Sequence, residues 1–185
     1  VNVSPAVLTV EKIDQTYITV DEERKTELLL KVLDREQPRQ CIVFVERKRG
    51  ADRLYREIKR HHLQAAAIHG DLPQSQRERI MQAFRDAKIH VLIATDVMSR
   101  GIDVLGISHI INFDVPFNPD DYVHRIGRTG RAGKKGRAFT FATPDEVTAK
   151  LARLGAPHPE GRVLTSGAAA ARQIATRHPG GAVFV

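Results

Sequence analysis

The segment HRIGRTGR, residues 124–131, sets two guanidiniums where an anion can be gripped. If a helix opening at Pro119 runs on through it, His124, Arg128 and Arg131 stand at spacings of four and three and share one face. Arg125 stands three residues before Arg128. A guanidinium presents a planar fork that donates two parallel hydrogen bonds and keeps its charge, which suits phosphate oxygens. Gly127 and Gly130 keep the surroundings slim enough for close approach. From Tyr122 to Arg137 the chain carries six Lys or Arg, four glycines and no acid, against a formal charge of +7 for all 185 residues. The positive charge is therefore a local device. On the residues alone, the stretch is either a phosphate grip or a solvated basic face.

A second candidate is LIATDVMSRGID, residues 92–103, where an apolar run ends at Thr95 and Asp96. Gly101 then permits a sharp turn or a close backbone approach, with Arg100 and Asp103 beside it. This is either a ligand loop or a strand end capped by polar turn residues. No G-x-x-x-x-G-K-[ST] and no G-x-G-x-x-G occurs, so the chain has no phosphate cradle of its own. Nor does an acidic run follow a strand to hold Mg²⁺. The acids at 21–23 and 145–146 fall at expected helix starts, where they serve the helix dipole. A nucleotide can be touched here but not fully held. No nucleophile, metal cluster or acid pair stands at the strand ends, which argues against a small-molecule enzyme.

Short apolar, β-branched runs alternate with segments of helical period, the pattern of a doubly wound α/β domain with a mainly parallel sheet and helices on both faces. Strands are predicted at 13–20, 41–45, 64–68, 90–95, 108–113 and 137–142, and helices at 23–33, 48–62, 74–87 and 119–127. Asn118 is the expected cap of the last helix, followed by Pro119 and two aspartates. In such sheets ligands sit beyond the carboxyl ends of strands. That singles out Glu46 to Lys48, His69 to Asp71, Thr95 to Asp103 and Asp114 to Pro116. The domain is expected over 1–145, with 146–185 an extension of one helix at 143–155 and then a weakly structured tail rich in Ala, Gly and Pro. The lone Cys41, inside the run CIVFV, reads as a small core hydrophobe. No apolar run approaches a membrane span and no leader is evident, so a soluble, cytoplasmic protein without a membrane partner is expected.

ATDVMSRGID followed by HRIGRTGR resembles motifs V and VI of the DEAD-box RNA helicases, and CIVFVERKRGADRL and AAAIHGDLPQSQRERIMQAFR resemble motifs IV and IVa. The resemblance spans about residues 10–143. It implies the C-terminal, second RecA-like domain of an ATP-dependent RNA helicase, with ATP and Mg²⁺ bound mainly by the N-terminal RecA-like domain, which holds the phosphate loop. By motif position, Arg128 and Arg131 are implied as arginine fingers on the γ-phosphate, and Gly101 and Asp103 as loop and ribose contacts. Asp96, His124 and Arg125 are implied as network or interdomain residues. RNA is implied as a partner of Arg47, Gly70, Asp71, Gln74, Arg77, Thr95 and Arg100, through phosphates and 2′-hydroxyls. At Arg47 the family commonly has Thr, so a cation stands where a hydroxyl contact is usual. The remaining cations of 122–137 are assigned to RNA or to the domain partner. The alternative reading is a free-standing RNA-binding module without ATPase activity.

Overall fold

A computed structural model of the chain describes residues 13–61, 63–96, 102, 104–131 and 135–147, and the backbone of 163–165. Arg100, Gly101 and Asp103 therefore lie outside the described residues. The six apolar runs form strands β1 (Ile13–Thr19), β2 (Cys41–Phe44), β3 (Ala65–Ile68), β4 (Val91–Ala94), β5 (His109–Asn112) and β6 (Gly136–Ala142). A further strand, β7 (Val163–Thr165), pairs with β1 inside the segment whose pattern predicted no element. Every pairing is parallel, in the order β3-β4-β2-β5-β6-β1-β7.

The helices are α1 (Lys25–Glu36), α2 (Lys48–Arg60), α3 (Gln74–Arg85) and α4 (Pro119–Ile126). The connection directions decide which face each covers, because parallel crossovers are right-handed. β1 to β2 and β2 to β3 run one way across the sheet; β3 to β4 and β5 to β6 run back. Leu29, Leu33, Leu54 and Ile58 of α1 and α2 accordingly pack with Cys41, Val43 and Ile93 on one face. Phe84, Tyr122 and Ile126 of α3 and α4 pack with Ile42, Phe44 and Leu92 on the other. Alternate residues of one strand thus feed two cores, which is why these runs are apolar throughout rather than alternating. Cys41 is fully buried in the first core, and burial pushes its thiol pKa up, in keeping with a packing role. The expected helix at 143–155 begins as one turn, Pro144–Glu146, closed by a capping box between Thr143 and Glu146. Its continuation past 147 lies outside the described residues.

At the amino ends of β5 and β6, Glu36 closes α1 against one side chain from each of these two neighbouring strands. His109 and Arg137 face each other in register, and Glu36 contacts His109 at 3.5 Å and pairs with the Arg137 guanidinium. The neighbouring His109 side chain holds the Glu36 carboxyl below its usual range; burial opposes this, and the charges of Arg137 and Arg35 reinforce it. A depressed folded-state pKa stabilises above the unfolded value, and that stabilisation is lost as pH falls through the folded one. Glu36→Gln should therefore lower the unfolding free energy at pH 7 by about 1.5–3 kcal/mol, the range for bonds to charged groups. The gap from the parent should close below the usual carboxylate range. Urea melts at pH 7 and pH 3 read both, and an equal gap at the two would refute the assignment.

Candidate RNA and nucleotide-phosphate interface

Because the strands are parallel, the carboxyl ends of β3, β4, β2 and β5 lie side by side on one edge. Beyond β2, Arg47 is the extended residue that caps α2, with its side chain exposed. Beyond β3, Gly70 and Asp71 are exposed, and the Asp71 carboxylate pairs with Lys48. That hydrogen bond is the chief reason the Asp71 pKa is lowered. His69, buried just before them, places Nε2 3.0 Å from Asp52 Oδ1 on α2, fastening the turn to the neighbouring helix. Gln74 opens α3 and donates to Glu78 at 2.7 Å. Gln74, Arg77, Met81 and Gln82 line a groove of about 530 Å³ with Ile68 and Ile102. Thr95, beyond β4, is 5% exposed. The edge thus brings together Arg47, Gly70, Asp71, Gln74, Arg77 and Thr95.

Arg125 sits at the junction of this edge with α4. Its guanidinium is almost wholly buried, and it forks onto Asp96, Nε to Oδ1 and Nη2 to Oδ2, each at 2.6 Å. Nη1 donates to the Asp114 carbonyl at 2.8 Å and to Asn112 Oδ1 at 3.3 Å. The guanidinium lies 5.1 Å over the Phe44 ring. The side chain therefore ties α4 to the ends of β2, β4 and β5.

The helix does not run on through Arg131. It stops at Ile126, with Gly127 as its C-cap, so His124, Arg128 and Arg131 do not share one helical face. Asn118 caps its start as expected, accepting from the Asp121 N–H. After the stop, Thr129 is buried and its hydroxyl bonds the carbonyls of Ile107 (2.6 Å) and Ser108 (3.1 Å), before the amino end of β5. Arg128 donates Nε to the His124 carbonyl at 3.2 Å and Nη1 to the Ile102 carbonyl at 3.3 Å. Arg131 donates Nε to the Gly127 carbonyl at 2.9 Å. The two guanidiniums are thus braced at the C-terminal end of α4, and Arg128 also reaches the carbonyl of Ile102, which lines the groove with Arg77. His124 is exposed on that helix.

The glycines of the stretch serve the chain's own packing. A Cβ at Gly127 would stand 2.9 Å from the Val123 carbonyl. Gly130 has φ +69°, and a Cβ there would meet Ile13 at 3.0 Å. The six cations are likewise not one surface, since Arg125 is buried on Asp96 and Arg137 pairs with Glu36. Sequence spacing did not point to the buried Lys25, whose ammonium lies 2.7 Å from Glu22, 3.6 Å from Glu146 and 3.7 Å from Asp114. It also missed the locking role of Thr129. Thr129 carries no local signal because its partners are backbone carbonyls, and Lys25 has one local partner, Glu22 three residues before it, while Asp114 and Glu146 are remote in sequence. Among the described residues no cluster of three metal-ligating side chains occurs, and no helix is long and apolar enough to cross a membrane.

The helicase conserved C-terminal domain matches residues 24–133. The DEAD-box ATP-dependent RNA helicase CshA of Geobacillus kaustophilus is 45% identical over 147 residues, covering 80% of this chain and 32% of that protein. The chain spans about a third of the length of the curated relatives it matches. The C-terminal domain of the DEAD-box protein Dbp5 superposes with a TM-score of 0.77 at 30% identity, covering 91% of this chain and 99% of that one. S. cerevisiae Dbp5 bound to RNA and ADP BeF3 gives a TM-score of 0.77 at 31% identity, over 89% of this chain and 44% of that one.

Removing one partner of a buried ion pair leaves the other charge uncompensated and costs about 3–5 kcal/mol. Asp96 is one-third exposed, so Asp96→Ala should fall at the low end, about 3 kcal/mol, with Asp96→Asn losing less because one acceptor remains. Urea unfolding of the domain measures this. A loss under about 1 kcal/mol would mean that Asn112 and Asp114 hold Arg125 unaided.

Proposed function

The chain belongs to the DEAD-box RNA helicases as a helicase conserved C-terminal domain, and we propose that it works as the second of two RecA-like domains that close over ATP and RNA together. In this reading the two flanks of the domain have separate tasks. Arg128 and Arg131 reach across the cleft and donate to oxygens of the γ-phosphate, while Asp103 and Gly101 meet the ribose side. ATP with Mg²⁺, held mainly by a phosphate-loop domain outside these residues, supplies the phosphoryl group. The donor set supports that division, with two guanidiniums braced beside one turn. The observation that carries the reading is the bracing of Arg128 and Arg131 through Nε on carbonyls four residues earlier, which orients each fork beside the turn.

The carboxyl edge is the RNA flank. Arg47, Arg77 and Arg100 meet phosphates, and Gly70, Asp71, Gln74 and Thr95 meet backbone and 2′-hydroxyls, so binding does not read base identity. The Dbp5 structure bound to RNA supports this assignment at the level of the shared fold. Asp96 and Arg125 brace the helix between the flanks, and His124 faces the partner domain. Closure on both ligands strains a duplex locally and separates its strands.

Arg128→Lys in the two-domain protein keeps the charge and loses the fork. Arginine fingers contribute about 10³–10⁵ in turnover, on the order of 4–7 kcal/mol of barrier. Turnover should therefore fall steeply while ATP affinity changes little, because the finger acts mainly in the transition state. Steady-state kinetics with circular dichroism as a folding check decides this, and near-parental turnover would overturn the finger role. Arg77→Ala should weaken RNA binding by similar factors across unrelated sequences, since a phosphate contact carries no base information. Titrations of two unrelated RNAs test it, and a loss confined to one of them would mean that base edges are read.

A further inference from the structure

We propose that Asp114 is a positioning residue that seats the RNA-facing Arg47 turn against the helix that precedes Arg128 and Arg131. The inference rests on the two-flank reading above. Asp114 follows β5, near the middle of the sheet, and each of its polar groups is engaged by a different element. Its Oδ2 accepts the Glu46 N–H at 2.7 Å, one residue before Arg47. Its carbonyl accepts Arg125 Nη1 at 2.8 Å. Its own N–H reaches the Phe44 carbonyl at 3.3 Å. From below, the ammonium of Lys25, only 1% exposed, lies 3.7 Å from Oδ1 and is shared with Glu22 and Glu146.

The consequence is mechanical. The Arg47 turn carries no side-chain cap of its own at the start of α2. The carboxylate that holds the adjacent Glu46 N–H belongs to the residue whose carbonyl holds Arg125. Arg125 is in turn fixed to Asp96 and stands on α4 three residues before Arg128. One residue thus connects a cation aimed at RNA with the segment aimed at the nucleotide phosphate. A short charge-assisted bond is well suited to this, because it restricts the turn in direction as well as distance.

The test uses the full two-domain protein and reads two quantities, the RNA concentration for half-maximal ATPase stimulation and turnover at saturating RNA. Asp114→Ala should raise the first about tenfold and lower the second by less than about threefold, within the range of couplings between contacting groups. Arg47→Ala added to Asp114→Ala should cost less than about a further twofold, because a misplaced turn has already lost its contact. Asp114→Asn keeps an oxygen for the Glu46 N–H and should restore RNA response to within about threefold of the parent. If thermal unfolding shows that the alanine variant melts below the assay temperature, Asp114→Ser, too short to reach Glu46, carries the same cycle. Additive effects of Arg47→Ala and Asp114→Ala, or a half-maximal RNA concentration within twofold of the parent, would overturn the proposal. If Arg77→Ala still weakens RNA binding in that case, the RNA flank stands and only the role of Asp114 fails. If neither Arg47→Ala nor Arg77→Ala changes RNA binding, the RNA flank fails and the proposal with it.

Discussion

The buried guanidinium of Arg125 is the constraint around which the working side of this domain is arranged. A charge taken out of water is tolerated only when its donors are matched, and here a carboxylate fork, a carbonyl, a side-chain amide and an aromatic face supply the matches. Those groups come from the ends of β2, β4 and β5, so burying one side chain of α4 fixes three strand ends relative to one helix. A substitution in any of these partners would be felt at the others, because they share the same few donors. The arrangement is rigid because its failure leaves a charge in a dry interior.

Around that point the parallel sheet divides the labour. All strands end on one edge, which gathers Arg47, Gly70, Asp71, Gln74 and Arg77 although they are scattered along the sequence. The Arg128 and Arg131 turn lies instead beyond the C-terminal end of α4, locked by Thr129 to the loop before β5. Arg125 and Asp114 connect the carboxyl edge with the helix that precedes that turn. The basic stretch is correspondingly mixed in role. Arg125 and Arg137 balance carboxylates of the same chain, while Arg128 and Arg131 rest on carbonyls at a helix C-terminus, where the helix dipole favours cations.

How much was legible in advance follows the range of each interaction. The six principal strands and four principal helices were visible because burial on both faces, helical period and the Asn118-Pro119 cap are encoded by near neighbours. The pattern ended this helix at 127, within a residue of the observed stop at Ile126, so the shared face of His124, Arg128 and Arg131, which needed the helix to continue, is not formed. Gly127 and Gly130 were visible as glycines, but the reason for them, a carbonyl and the Ile13 side chain in the way of a Cβ, appears only on folding. β7 escaped because three residues at a sheet edge are too short a run to show a period.

The sequence by itself determined the α/β class, the two-faced sheet, the core position of Cys41 and the family, because these rest on apolar periodicity and on contiguous motifs. Only the tertiary structure decided which cations are bound within the fold and which stand at the flanks. Arg125 finds Asp96 across 29 residues, Arg137 finds Glu36 across 101, and Tyr17 meets Tyr122 across 105. The physical reason is that an ion pair or buried hydrogen bond needs only proximity in space and leaves no period in the chain. The partner of each charge is therefore set by the sheet order and crossover handedness that bring distant segments together.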